Sequence, residues 1–279
     1  MANEIEKGAL YVVATPIGNL SDITERAKNV LQNVDFVCAE DTRVSGKLLN
    51  VLGIKNSFVS YHEHNKNEAG KIVVQKLQEG LTGAIVTDAG VPAISDPGED
   101  LVKLCKDEGI KVIPVPGACA FVTALSASGF ASRRFCFEGF LPVDKKERQE
   151  VLSDHKNDTK TVIFYEAPHR LVKTLEILYS EWGNRKICLA RELTKLNEEI
   201  FVTTFEDALE LYKTKDPKGE YVVIVAGADN NGDDNFFENM TIVEHVEFYE
   251  NQGLKKMDAI KACAKDRGLS KNEVYKYFI

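Results

Sequence analysis

None of the six cysteines, at 38, 105, 119, 136, 188 and 263, forms a C-x-x-C pair. A zinc module of the usual ligand spacing is therefore not expected, and no metal is assigned. Most of these thiols sit in apolar stretches such as DFVCAE and RKICLA, which predicts reduced, buried side chains. No run approaches the roughly 18 consecutive apolar residues of a membrane span, and MANEIEKG lacks the basic and apolar regions of a signal peptide. The expectation is a soluble, cytoplasmic protein. Neither G-x-G-x-x-G nor G-x-x-x-x-G-K-[ST] occurs, which disfavours a standard dinucleotide site or P-loop. Positive charge is also short, with 35 Lys and Arg against 43 Asp and Glu and a net charge of −8. Phosphate neutralisation needs the opposite sign, so a protein that coats nucleic acid indiscriminately is excluded. A local basic patch is not.

The chain has 279 residues, 44% of them hydrophobic and 28% charged, with 14 Phe, 9 Tyr and 1 Trp. That supply fills sizeable cores, excludes disordered and fibrous classes, and suggests two domains with a small third module. Short apolar runs at 10–15, 35–40, 57–61, 84–87 and 111–115 alternate with amphipathic segments, the pattern of βαβ units around a mainly parallel sheet. Asp22 with Glu25 suggests a helix start, and Gly53, Gly80 and Gly109 suggest helix ends. A helix of small residues at 118–128 bridges to strands at 135–140, 161–165, 186–190, 199–204 and 221–226, with helices at 145–155 and 169–182. This second sheet is expected to be mixed. A polar linker, DNNGDDN, spans 229–235, and three helices follow at 241–252, 256–267 and 270–279. The resulting division is α/β throughout 1–117 and 118–228, then a linker and helical module at 229–279. Residues 254–279 carry seven basic groups against three acids, whereas 229–250 hold seven acids and no Lys or Arg.

Ligands of open α/β sheets sit outside the carboxyl ends of the strands. Five polar loops fall there: Thr15–Leu20, Glu40–Arg43, Tyr61–Asn65, Asp88–Gly98 and Pro114–Gly117. Pro16 and Gly18 make either a tight turn or a ligand contact. Asp96 is a helix cap, or part of a cradle in which Gly90 admits close backbone approach. Glu40, Asp41 and Arg43 form either a structural ion pair or a substrate site. His62 and His64, two apart on an extended segment, would face the same way as substrate contacts. Arg133, Arg134, Lys145, Lys146 and Arg148 make a basic run, either a solvated face or the edge of the expected cleft.

Seven segments occur in order: VATPIGNLSDIT, CAEDTR, TDAGVPAISDPG, PVPGACAFVTALSASG, FEGFLP, YEAPHR and ARELTKLNEE. Through them the chain resembles the tetrapyrrole methylase superfamily, and within it the branch that methylates ribose in bacterial 16S rRNA. The likeness spans about residues 8–228, and the last helices resemble that family's helix-turn-helix tail. It implies two α/β domains with S-adenosylmethionine bound between them, and transfer of its methyl group to the 2′-hydroxyl of a cytidine in 16S rRNA. It also implies a homodimer. On this resemblance Pro16, Ala89, Gly90, Val91, Ile94, Cys119, Ala120, Glu166 and Ala167 contact the cofactor. Relatives carry Gly-Gly-Asp-Pro where this chain has Ala-Gly-Val-Pro, so an acid is missing at Val91 and Asp88 is the candidate replacement. Glu40, His62, His64, Arg133, Arg134, Lys145, Lys146 and Arg148 become candidate substrate contacts.

A ribose hydroxyl is a poor acid, so a base or a cation beside the developing alkoxide helps the reaction. Asp41 with Arg43 for substrate positioning, and Lys195, are the catalytic candidates, with Glu40 and Glu192 also considered. Two alternatives remain at this stage: methylation of a tetrapyrrole or a protein side chain by the same fold, and a regulator that binds nucleic acid through the terminal helices.

Overall fold

The structure is a computed structural model that describes residues 5–228, 237 and 240–278. The expected linker at 229–235 and Ile279 lie outside the described residues. Two compact units form, one of Met1–Lys156 and Lys160–Ala226, the other of Asn157–Thr159 and Gly227–Ile279.

The first unit begins with five strands, β1 (Leu10–Val13), β2 (Phe36–Ala39), β3 (Phe58–Ser60), β4 (Gly83–Val86) and β5 (Val112–Val115). They pair in parallel in the order β3-β2-β4-β1-β5. Helices α1 (Glu25–Asn33), α2 (Thr42–Val51), α3 (Lys66–Gln78) and α4 (Gly98–Asp107) connect them. Successive strand side chains point to opposite faces, and both faces are apolar. Tyr11, Val13, Val37, Ala39, Ala84 and Val86 pack under Ala27, Val30 and Leu31 of α1 and Leu49 of α2. Leu10, Phe36, Cys38 and Ile85 pack under Val73 and Leu77 of α3 and Leu101 and Cys105 of α4. Thr24, not Asp22, caps α1: its side chain accepts the Ala27 N–H at 3.1 Å, while residues 20–22 form a separate 3-10 turn.

Helix α5 (Ala120–Ser128) leads into the second sheet. This sheet comprises β6 (Phe135–Phe140), β7 (Thr161–Glu166), β8 (Lys186–Arg191), β9 (Glu199–Thr204) and β10 (Tyr221–Val225) in the order β6-β7-β10-β8-β9. Only β6 and β7 run parallel, so the sheet is mixed as expected. Helices α6 (Lys145–His155), α7 (Pro168–Trp182) and α8 (Phe205–Tyr212) belong to this half. The α7 stripe of Leu171, Leu175, Leu178 and Trp182 covers one face, together with Leu152 of α6 and Phe205 and Ala208 of α8. On the other face Ile163, Cys188, Ala190, Val222 and Ile224 meet Ala124 and Leu125 of α5, and also Ile17 from the first loop. The sequence reading missed α8, although Thr204 and Asp207 cap it and Phe205, Ala208, Leu209 and Tyr212 give it an apolar face.

In the second unit, α9 (Ile242–Asn251), α10 (Lys256–Asp266) and α11 (Lys271–Tyr275) pack around Val246, Ile260, Cys263 and Val274. Thr241 with Glu244 and Ser270 with Glu273 form reciprocal capping boxes at α9 and α11. The last helix is shorter than expected, because residues 276–278 tighten into a 3-10 turn. Among the described residues no helix is long and apolar enough to cross a membrane.

Leu175 is fully buried, while Leu196 is 99% exposed. Leu175→Ala should therefore lower unfolding free energy by about 3 kcal/mol, and Leu196→Ala by less than about 0.5 kcal/mol. Urea denaturation of the two variants checks the contrast.

Candidate functional site

Strands β1 and β4 are neighbours, yet their following connections leave towards opposite edges of the sheet, to β2 and to β5. A crevice opens at such a crossing point. Backbone hydrogen bonds join its two lips: Thr15 N–H donates to Gly90 O at 2.8 Å, and Gly90 N–H donates to Thr15 O at 3.2 Å. The Thr15 hydroxyl also donates to Thr87 O at 3.1 Å. Gly90 has φ +91°, a region that a Cβ disfavours.

The opposite wall comes from the second sheet. A cleft of about 380 Å³ lies between Ile17, Thr87–Val91 and Ile94–Asp96 on one side and Cys119, Ala120, Phe140, Tyr165–Ala167, Ala190, Glu192, Leu193, Lys195 and Glu220–Val222 on the other. Two close approaches bring these walls together. A Cβ on Gly18 would lie 2.5 Å from Lys195 Cγ, and one on Gly139 would lie 2.6 Å from Ser95 Oγ. The second approach uses a β-bulge between Phe137 and Gly139, where Gly139 has φ +66°. Four non-glycine residues have positive φ among the described residues: Ala93, Ser95, Glu192 and Thr194. All lie in the two loops that face each other across this cleft. Backbone held in the left-handed region costs free energy, and its clustering marks a functional site.

The cleft is acidic. Glu40, Asp88, Asp96, Glu166, Glu192 and Glu220 line it, and Lys195 is the single basic lining residue among those described. Burial pushes the Glu40 carboxyl above its usual range, and the charges of Asp88 and Asp96 add to the effect. Burial also raises Asp88, reinforced by Asp41, and raises Asp96 despite the N–H groups of Ala93 and Gly98 that it accepts at 2.9 and 2.8 Å. Asp96 thus ties down the loop that leads into α4, as a capping residue would. Lys195 donates to Glu192 at 2.8 Å and Glu220 at 3.0 Å; these bonds outweigh burial and raise its pKa. Glu166 is buried and engaged by the Ala167 N–H, the Thr174 hydroxyl and Arg170.

Asp88, Ala89, Gly90, Val91, Ile94, Cys119, Ala120, Glu166, Ala167, Glu40 and Lys195 come together in the cleft lining, whereas Pro16 is adjacent to Ile17 but not in the lining. Asp41 and Arg43 lie beyond it. Arg43 grips Asp41 through Nε at 3.0 Å and Nη2 at 2.7 Å, and the Asp41 side chain caps α2. These bonds hold the Asp41 carboxyl far below the usual range. His62 and His64 sit in a turn rather than on an extended segment, because Asn65 accepts the His62 N–H at 2.8 Å and donates to Ser60 O at 3.0 Å. Their rings meet edge-on with centroids 6.0 Å apart. Arg133, Arg134, Lys145 and Lys146 are exposed outside the cleft, and Arg148 is half-buried with its guanidinium donating to Pro142 O and Val143 O. Phe140, Tyr165 and Glu220 escaped the sequence reading. They stand at strand ends far apart in the chain; Phe140 and Tyr165 fall within FEGFLP and YEAPHR without being singled out, and Glu220 lies in none of the seven segments.

Two sheets of this order, with a strained cleft between them, define an α/β ligand-binding enzyme architecture. The chain belongs to the Tetrapyrrole (Corrin/Porphyrin) Methylases, whose sequence pattern matches residues 9–209. Within that family it is similar to the ribosomal RNA small subunit methyltransferase I of Halalkalibacterium halodurans, at 48% identity over 98% of this chain and 95% of that one. The protein of the same name from Haemophilus influenzae is 46% identical over 97% of this chain and 96% of its own. Among solved structures, uroporphyrin-III C-methyltransferase of Thermus thermophilus complexed with S-adenyl homocysteine shares the fold, with a TM-score of 0.56 at 15% identity, covering 77% of this chain and 96% of that one.

Gly18→Ala would drive a methyl group into the 193–195 loop, and overpacking of this kind costs about 1–3 kcal/mol. A lower melting temperature than that of Gly46→Ala, whose Cβ has room, is the expected result.

Proposed function

We propose that the chain transfers a methyl group from S-adenosylmethionine to the ribose 2′-hydroxyl of a cytidine in the 16S RNA of the small ribosomal subunit. The observation that carries this reading is the cleft itself. Its two strained loops belong to TDAGVPAISDPG and ARELTKLNEE, in a chain that aligns end to end with relatives called ribosomal RNA small subunit methyltransferase I. In this reading 1–117 and 118–228 are the domains that bracket the cofactor, 229–279 is an accessory module, and the working form is a cytoplasmic homodimer.

The lining fits the cofactor. Ile17, Ala190 and Val222 offer an apolar wall to an adenine ring, and the backbone at Ala89–Val91 is open to close approach at Gly90. Glu40 and Asp88, whose carboxyls are raised by burial and by neighbouring acids, gain from a cationic ligand that relieves that repulsion. Asp88 then does the work of the acid missing at Val91. The bound sulfonium supplies an electrophilic methyl group, so much of the rate comes from orientation.

The remaining work falls to the chain's own side chains. Lys195, kept protonated by Glu192 and Glu220, places a positive charge where an attacking hydroxyl turns into an alkoxide. Glu40 has the raised proton affinity that a base for that hydroxyl needs. Asp41 is too firmly ionised and paired to serve as that base, so it orients Arg43, whose side chain is 85% exposed and available to the RNA backbone. Arg133, Arg134, Lys145 and Lys146, with His62 and His64, extend the contact surface beyond the cleft.

The test is incubation of the protein with unmodified small subunits and labelled S-adenosylmethionine, followed by mass spectrometry of digested RNA. A 2′-O-methylcytidine is expected; its absence beside an active control enzyme would refute the assignment. Gly90→Val should weaken S-adenosylmethionine binding at least about tenfold in calorimetry, about 1.4 kcal/mol, because the β-branched residue cannot hold φ +91°. Lys195→Ala should leave that affinity near wild type and lower kcat about 100-fold.

A further inference from the structure

Beyond the cleft, three side chains of different donor chemistry converge on one point of the second sheet. Cys136 and Glu138 stand on β6, and His155 ends α6. Their Sγ, carboxylate and imidazole ligand atoms all lie within 4.8 Å of one another. Cys136 Sγ is 2.9 Å and His155 Nε2 is 2.8 Å from the same oxygen, Glu138 Oε1. We propose that Cys136, Glu138 and His155 form a zinc site that clamps α6 to β6.

The donor set argues for the metal. Thiolate, imidazole and carboxylate together suit a borderline ion such as Zn²⁺, whereas Mg²⁺ and Ca²⁺ prefer oxygen alone. The backbone is arranged for convergence. Cys136 and Glu138 are two apart on a strand and share a face, and the bulge that begins after Phe137 re-aims the strand at Glu138. His155 is buried and its ring is fixed edge-on against Trp182, with centroids 6.3 Å apart, so one ligand is already oriented.

The separations are those of a hydrogen-bonded trio. Ligand atoms around tetrahedral zinc stand about 3.3–3.8 Å apart, so an ion would widen the two contacts to Glu138 by roughly half an ångström. It would replace the thiol proton, which leaves to solvent, and binding should therefore tighten as pH rises. The site was invisible to ligand spacing, since its members lie at 136, 138 and 155 with no paired cysteine or histidine. Phe140, two residues past Glu138 on β6, lines the cleft, so the clamp would fix one wall of the proposed methyl-transfer site.

The full chain, stripped with a chelator and exchanged into metal-free buffer, is titrated with Zn²⁺ against a chromophoric competitor. One tight equivalent is expected, with proton release, and Co²⁺ in its place should show a thiolate-to-metal charge-transfer band. Cys136→Ser and His155→Ala should each lose the tight equivalent, and circular dichroism confirms that the variants remain folded. Glu138→Gln preserves a hydrogen-bonding oxygen but removes the anionic ligand, so it too should bind more weakly while melting near the metal-free wild type. Wild-type protein that binds no tight equivalent, or a Cys136→Ser/His155→Ala double variant that retains it, would overturn the site.

Discussion

The arrangement of the first unit depends on a two-way backbone exchange between Thr15 and Gly90. It ties the end of β1 to the loop after β4 at 2.8 and 3.2 Å, where the sheet's connections part towards opposite edges. The exchange requires the chain at Gly90 to turn with φ +91°, which glycine tolerates and other residues resist. Once the lips are joined, Ile17 is carried into the apolar cluster of the second sheet and Gly18 is pressed against the loop bearing Lys195. One local pairing thus sets the position of both walls of the cleft.

The strain around that pairing is concentrated. Ala93 and Ser95 on one side, and Glu192 and Thr194 on the other, hold the left-handed conformation, each at a cost on the order of 1 kcal/mol or more. Surrounding interactions keep them there. Asp96 accepts two backbone N–H groups of its own loop, Glu198 accepts the Thr194 N–H at 2.6 Å, and Lys195 bridges Glu192 and Glu220. A rigid frame of this kind suits chemistry governed by orientation, because preorganised groups need not rearrange when charge develops.

The strands were legible because both sheets alternate or run apolar at strand length, and the mixed order of the second followed from strands too close for crossover helices. Helix α8 was not, since its eight residues lie between two strands and its apolar face is short. Asp22 gave a false start to α1 because a 3-10 turn intervened before Thr24. His62 and His64 were misplaced for a related reason, as the Asn65 side chain folds back on Ser60 and His62 and ends the extended segment early. The first wall of the cleft could be foreseen from strand-end loops. The second wall needed long-range pairing: Glu166 and Tyr221 lie 55 positions apart and meet across the β7–β10 register, which no local pattern encodes.

Charge resolves the tension between an acidic protein and an RNA substrate. The cleft holds six acidic side chains; Glu166 is paired with Arg170, and Glu192 and Glu220 share Lys195. Most of the excess therefore sits on Glu40, Asp88 and Asp96, on the side of the first sheet. A cationic cofactor lowers the cost of keeping those three ionised, whereas a phosphate beside them raises it. The proposed substrate satisfies both conditions only if the RNA backbone stays outside and one nucleoside reaches in towards Lys195. The proposal assigns those phosphates to the exposed cations Arg43, Arg133, Arg134, Lys145 and Lys146, all of them outside the lining. Net acidity is then part of specificity, since loosely held RNA gains nothing from the body of the protein.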